Sequence, residues 1–366
     1  MKILIAMDSF KGSMSSLDLN NLISDHFSHM NHHVITLPIS DGGEGFIDAI
    51  HAHCIKPLSF FVGVDPLMKS IRVPYLLIDD TAYLELHATS GITLIPKELH
   101  NPLQTTTYGL GLLIKEVISK GAKRIVIGLG GSATNDGGAG MLQALGAKFY
   151  SKDGIIESSM NGHLIGQITS VDLSLFNQSI QGVEFIIASD VTNPLCGPQG
   201  ASHIFARQKG ASTKQIHQLE SNMIHYAKLM EQTFSKSYQN LPGAGAAGGV
   251  GFAALSALHA TLYSGIDFMI HLLGAEEHIK SSDLIIVGEG KLDLQTSFGK
   301  APYGLARLAK KYNKKVIGLF GQATHKKQHT YLDVIYAVVP TYATLEESLR
   351  SPKTTFKKML NDVKIS

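Results

Sequence analysis

The chain has 366 residues, 44% of them hydrophobic and 17% charged, with a formal net charge of +2. That length exceeds one small core and predicts two domains, while the near-neutral charge argues against nucleic acid or an anionic membrane surface as partner. Cysteine occurs only at Cys54 and Cys196, too sparse for a disulfide framework and suited to a reducing compartment.

Lys2-Ile3-Leu4-Ile5-Ala6 reads as a short buried strand. It lacks the longer apolar region and small-residue cleavage site of a signal peptide. No stretch approaches the roughly 20 apolar residues that cross a bilayer, so the expected location is cytoplasmic. A helix follows, with Ser15 as its N-cap and Leu19, Leu22, Ile23 and Phe27 as its apolar stripe. Val34 to Pro38 predicts a second strand, completing the strand-helix-strand opening of a parallel doubly wound sheet. From residue 58 to 90 apolar and polar positions alternate around Val64-Asp65-Pro66 and Asp79-Asp80, the pattern of antiparallel hairpins. Mixed elements then include strands at Arg124 to Gly128 and Glu184 to Ala188. After residue 280 the parallel pattern returns, with strands at Leu284 to Val287, Val316 to Phe320 and Val334 to Val339. Between the first two, Lys300-Ala301-Pro302 opens a helix carrying Leu305, Leu308 and Tyr312. The expected organisation is a parallel-sheet α/β domain of residues 1–57 and 265–366, interrupted by a mixed α/β domain of residues 58–264. The lysines and Arg350 gathered near the C-terminus read as a solvated segment.

The 36 glycines make up about a tenth of the chain, against an average near 7%, and they cluster. The densest run, Gly128 to Gly140, follows a predicted strand and precedes a helix. Its glycines let successive N–H groups turn towards an anion, and Ser132, Thr134 and Asn135 can add side-chain hydrogen bonds. Gly128, Gly130 and Ala133 also match the dinucleotide pattern G-x-G-x-x-[GA], as does Gly243 to Gly248. This keeps a nicotinamide-dependent hydroxy-acid dehydrogenase as an alternative, although the first run continues as a polar Thr-Asn-Asp-Gly-Gly loop instead of entering a helix. No G-x-x-x-x-G-K-[ST] sequence occurs, so a kinase of this sequence is not a P-loop kinase.

Four further strand ends carry polar loops. Gly288-Glu289-Gly290-Lys291-Leu292-Asp293 places two acids and a lysine where ligands of open α/β sheets bind; the lysine suits phosphate charge and the acids suit Mg²⁺ or a proton. Asp190, in Ser189-Asp190-Val191-Thr192-Asn193-Pro194, is placed to act as a base or metal ligand, with a bland Asx turn as the competing reading. Asp8-Ser9-Phe10-Lys11-Gly12-Ser13 and Asp41-Gly42-Gly43-Glu44-Gly45 follow the first two strands, and Lys11 and Ser13 would suit a carboxylate or a phosphate. The histidines His26, His29, His32 and His33 read as surface residues at a helix end.

These loops, in this order and with Pro242 to Gly249, resemble the class I glycerate kinase family over nearly the whole chain. The sequence departs from the family pattern at Met7, where proline is common, and at Lys291, where arginine is frequent. It departs again at Phe205-Ala206-Arg207-Gln208-Lys209-Gly210, which replaces Phe-Gly-Pro-Gln-Lys-Gly. The resemblance implies a flavodoxin-like domain interrupted by an inserted α/β domain, with ATP and Mg²⁺ as cofactors. It implies D-glycerate as substrate, phosphorylated at the 2-hydroxyl, with 3-phosphoglycerate as the alternative product. A homodimer is an open expectation. The working assignment gives Asp190, Lys291 and Lys11 catalytic roles and places Ser9, Ser13, Asp41, Glu44 and Asp293 around the substrate. Gly130, Gly131, Ser132, Asn135, Asp136 and Gly137 cradle the ATP phosphates, and Glu289 and Asp293 lie near the metal.

Overall fold

A computed structural model of the chain describes residues 1–292, 301–323 and 330–365. Its contacts form two compact units, Met1–Ile55 with Ser264–Ser366, and Lys56–Tyr263. Among the described residues, no helix is long and apolar enough to cross a membrane.

The discontinuous unit is built on a parallel sheet. Its strands lie in the order His33–Thr36, Lys2–Met7, Leu284–Gly288, Lys315–Ala323, Val334–Val339, with the short Lys291–Leu292 pairing the far end of Lys315–Ala323. In chain sequence this is the order 2-1-3-4-5, the flavodoxin-like arrangement. Helices cover such sheets on both faces, so their strands read as continuous apolar runs instead of alternating ones. Ile3, Leu4 and Ile5 are accordingly fully buried, as are Leu284 to Val287. Burying one such side chain contributes about 1.5–3 kcal/mol. The helix Ser16–Ser28 starts where expected: the Ser15 hydroxyl accepts the Asp18 N–H at 3.0 Å, and Leu19, Ile23 and Phe27 face the core. The second strand is shorter than its apolar run suggested. It ends at Thr36, and beyond it Leu37 and Ile39 still donate to the Ile5 and Met7 carbonyls; Pro38 is tolerated between them because its missing N–H would face the open edge of the sheet.

The unit Lys56–Tyr263 carries a mixed sheet in the order Thr261–Tyr263, Glu184–Ala188, Arg124–Gly128, Thr81–Glu85, Ser70–Ile78, Ser59–Val64. The first four strands are mutually parallel, and the last three form the antiparallel hairpins read from residues 58 to 90. A small sheet of Lys148–Ser151, Gly154–Ile155 and Ser170–Asp172 lies beside them. The long helix Thr213–Phe234 opens with a capping box at Ser212 and Gln215 and buries Met223, Tyr226 and Met230 in the core.

Gly288 ends the central strand of the first unit, and a Cβ there would collide with the Leu319 carbonyl and the Met7 methyl. Because the obstacle is neighbouring backbone, Gly288→Ala should cost about 1–3 kcal/mol, towards the upper figure. An earlier urea transition by circular dichroism is the expected result.

Candidate active site

In the discontinuous unit the site follows from strand register. Lys2–Met7 and Leu284–Gly288 pair with Met7 opposite Gly288, and the Asp8 N–H donates to the Gly288 carbonyl at 2.9 Å. The next residues of each strand, Asp8 and Glu289, therefore emerge together at the point where the strand order reverses, the usual ligand position of such sheets. Both are buried. Loss of water pushes the Asp8 carboxyl well above the usual carboxylate range, and repulsion from Asp41 and Glu289 adds to this against the attraction of Lys11. Asp8 Oδ1 accepts the Ser9 N–H at 2.6 Å, whereas the buried Oδ2 accepts no hydrogen bond among the described residues. Lys11 Nζ lies 3.4 Å from Asp41 Oδ2, with half of its own side chain exposed. Its pKa is raised, first by Asp41 and then by Asp8 and Glu289. Water screens an ion pair this exposed, so it orients Lys11 more than it stabilises the fold. Ser9, Lys11, Ser13, Glu289, Gly290 and Lys291 line one cavity of about 240 Å³, and Lys11, Ser13 and Glu44 line another of about 280 Å³.

In the unit Lys56–Tyr263, Gly128 and Ala188 are opposite each other at the ends of parallel strands. The loop from Leu129 and the half-buried Asp190 thus leave the same edge of the sheet. Asp136 is fully buried and accepts from the Thr107 N–H and hydroxyl at 2.8 and 2.7 Å, and from the Gly138 and Gly140 N–H groups at 3.2 and 3.3 Å. Burial raises its pKa while these bonds pull it down. The Asn135 amide donates to Ser202 Oγ, and a Cβ on Gly137 would strike Tyr226. The accessible part of the loop is Gly130-Gly131, followed by Ser132 at its margin. Among the described residues the N–H groups of Gly130, Gly131 and Ser132 donate no hydrogen bond. Gly131 has φ +61, so the backbone here turns through the left-handed conformation that makes anion-binding concavities. With Val191, Phe205, Gln208 and Lys209, these residues line a cavity of about 320 Å³.

A model of the glycerate kinase family matches residues 3–365. The chain belongs to that family. It is 40% identical to the glycerate 2-kinase of Escherichia coli strain K12, over 96% of this chain and 93% of that one. It is 37% identical to the glycerate kinase of Bacillus subtilis strain 168, covering 100% and 97%. A crystal structure of a Salmonella typhimurium LT2 protein assigned as glycerate kinase 2 superposes with a TM-score of 0.83 at 36% identity, covering 99% of this chain and 96% of that one.

Within this glycerate kinase fold, Ser9, Lys11, Ser13, Asp41, Glu44, Glu289 and Lys291 fall in the discontinuous unit, and Asp190 with Gly130 to Gly137 in the other. Asp293 lies outside the described residues. Asn135, Asp136 and Gly137 hold the loop from inside, while Gly130, Gly131 and Ser132 border its cavity. The second glycine run serves packing. The Gly248 carbonyl accepts from the Gly137 N–H at 3.0 Å, the Gly245 N–H donates to the Asn193 carbonyl at 2.9 Å, and a Cβ on Gly248 would collide with the Thr134 carbonyl. Neither run turns directly from strand into helix as a dinucleotide fingerprint does: residues 129–138 intervene in the first, and the second follows no strand. Two residues not singled out in sequence are Asp8 and Lys209. Asp8 lies in a motif whose lysine and serines carry the recognisable anion chemistry, and Lys209 lies in the segment that departs from the family pattern.

Asp8→Asn should raise the thermal midpoint at pH 7, because it removes a buried charge repelled by Asp41 and Glu289. The sign follows from the raised folded pKa: ionised Asp8 destabilises the fold as pH rises above the unfolded carboxylate range, and protonation removes the penalty on acidification. The gain of the variant over the native protein should therefore shrink towards pH 4 in calorimetric scans.

Proposed function

We propose that the protein transfers the γ-phosphoryl group of ATP to the 2-hydroxyl of D-glycerate, giving 2-phosphoglycerate and ADP. The observation that carries this reading is the run of three successive N–H groups at Gly130, Gly131 and Ser132, at a parallel strand end and turned through a left-handed glycine. Such a run is suited to phosphate oxygens. Membership of the glycerate kinase family supports the substrate class, and the name of the Escherichia coli relative favours the 2-hydroxyl.

In this reading Lys11 and Ser13 bind the glycerate carboxylate, with Ser9, Asp41 and Glu44 around it. Asp190 accepts the proton of the 2-hydroxyl as its oxygen attacks the γ-phosphorus, and the bond to the ADP oxygen breaks. Lys291, exposed at the end of its short strand, neutralises charge on the transferring group. Phosphoryl transfer relies chiefly on positioning and charge stabilisation, which these groups supply.

Among the described residues no three acidic, His or Cys side chains form a metal-holding group. Magnesium needs no such cage, since it commonly takes one or two carboxylates together with substrate phosphates. The buried Asp8 Oδ2, crowded by Asp41 and Glu289, fits that demand. Asp8 and Glu289 would hold Mg²⁺, which supplies neutralisation of the phosphate oxygens.

Incubation with Mg-ATP and D-glycerate, coupled to enolase without a mutase, should give immediate enolase turnover. A signal that waits for mutase would assign the 3-hydroxyl instead, and absence of glycerate-dependent ADP release would overturn the substrate. Asp190→Asn should lower kcat by about 10²–10⁴-fold, the usual contribution of a general base, with an unchanged circular dichroism spectrum. Near-native turnover would exclude Asp190 from that role.

A further inference from the structure

A lysine ammonium is costly to bury, because it loses its hydration. Lys209 is nevertheless only 2% exposed. It ends the short turn Arg207–Lys209, and its Nζ donates to Ser132 Oγ at 2.8 Å and to the Thr134 carbonyl at 2.7 Å. Burial pulls its pKa down to about 7, against the attraction of Asp136. So demanding a placement calls for a compensating role, and the geometry around Ser132 provides one.

A serine hydroxyl has one proton to donate and two lone pairs. In the observed contact Lys209 Nζ is the donor, so it occupies a lone pair of Ser132 Oγ and leaves the hydroxyl proton for another acceptor. Among the described residues Ser132 Oγ makes no second hydrogen bond. Ser132 lines the 320 Å³ cavity together with Gly130 and Gly131, so its O–H joins their N–H groups as a donor at one place. We propose that Lys209 is a positioning residue that holds Ser132 with its hydroxyl proton directed at a phosphoryl oxygen of the nucleotide. This rests on the reading of the Gly130–Ser132 loop as the phosphate site. The rival is purely architectural: Lys209 staples residues 132–134 to its own turn and does nothing through the hydroxyl.

Calorimetric titration of the full chain with Mg-ADP, alongside the KM for D-glycerate, separates these. Ser132→Ala and Lys209→Met should each weaken Mg-ADP by about tenfold, the scale of a hydrogen bond to a charged group, and leave the KM for D-glycerate within about twofold. The double variant should bind no worse than either single, because both remove the same donor. Losses that multiply in the double variant would overturn the inference and leave the phosphate reading intact, as would a Lys209→Met loss falling equally on both substrates. Unchanged Mg-ADP affinity in Ser132→Ala would overturn the inference and leave the phosphate reading standing, because the backbone N–H groups of residues 130–132 remain; absence of Mg-ADP binding by the native protein would overturn that reading as well. If Lys209→Met does not fold, Lys209→Gln, which keeps an amide donor, takes its place in the same cycle. It should then retain more Mg-ADP affinity than Ser132→Ala, and equal or greater loss would count against the role.

Discussion

Parallel pairing dictates which side chains emerge beyond the last rung of a ladder. Once Met7 lies opposite Gly288, the next side chains of both strands are acids, and both are buried. Each would be better hydrated and farther from the other, yet the register that buries Ile3 to Ile5 and Leu284 to Val287 holds them together. Lys11 relieves this from the same loop, and its pairing with Asp41 ties the second strand's loop to the first. The charge balance remains acidic, with Asp8, Asp41 and Glu289 against Lys11. A strand end of this kind is suited to a cation that arrives with its own anions, while Lys11 supplies the one positive charge of the cluster.

The two buried aspartates show why burial alone does not mark a functional carboxylate. Desolvation raises the pKa of both Asp8 and Asp136. Asp136 is answered by four donors, from Thr107, Gly138 and Gly140, and its charge is consumed in shaping the loop. Among the described residues Asp8 has one answered oxygen and one that is not, beside other acids. Unsatisfied buried polar atoms are few in native proteins and each asks for an explanation. The satisfied aspartate is architecture, and the unsatisfied one is where a ligand has something to supply.

What could be read from sequence divides along the same physical line. Strands such as Val334–Val339 and Arg124–Gly128 were legible to the residue because a parallel strand buried on both faces is a continuous apolar run between polar loops. The Ser15 cap and the hairpins after residue 58 were legible because turn and cap chemistry is local. The loops of the site were legible as loops, and their order carried the family resemblance. The partners inside them were not. Thr107 meets Asp136 across 29 residues and Lys209 meets Ser132 across 77, and local sequence shows Lys209 only as one basic residue in a polar turn. Its burial is a property of the tertiary fold.

The glycines sharpen that distinction. Gly128 to Ala133 and Gly243 to Gly248 satisfy the same short pattern, because the pattern records only where a Cβ is missing. In the first run the N–H groups of residues that line a cavity donate no hydrogen bond among the described residues. In the second the missing side chains let one loop's backbone lie against another's, Gly248 on Thr134 and Gly245 on Pro194. The second run therefore supports the first: it presses the Thr134–Gly137 half of the loop into place from one side, while Asp136 pins it from within. The accessible half can stay open because the other half is closed by the Gly248 backbone and by the Tyr226, Ala253 and Thr107 side chains, and glycine is the residue that permits both.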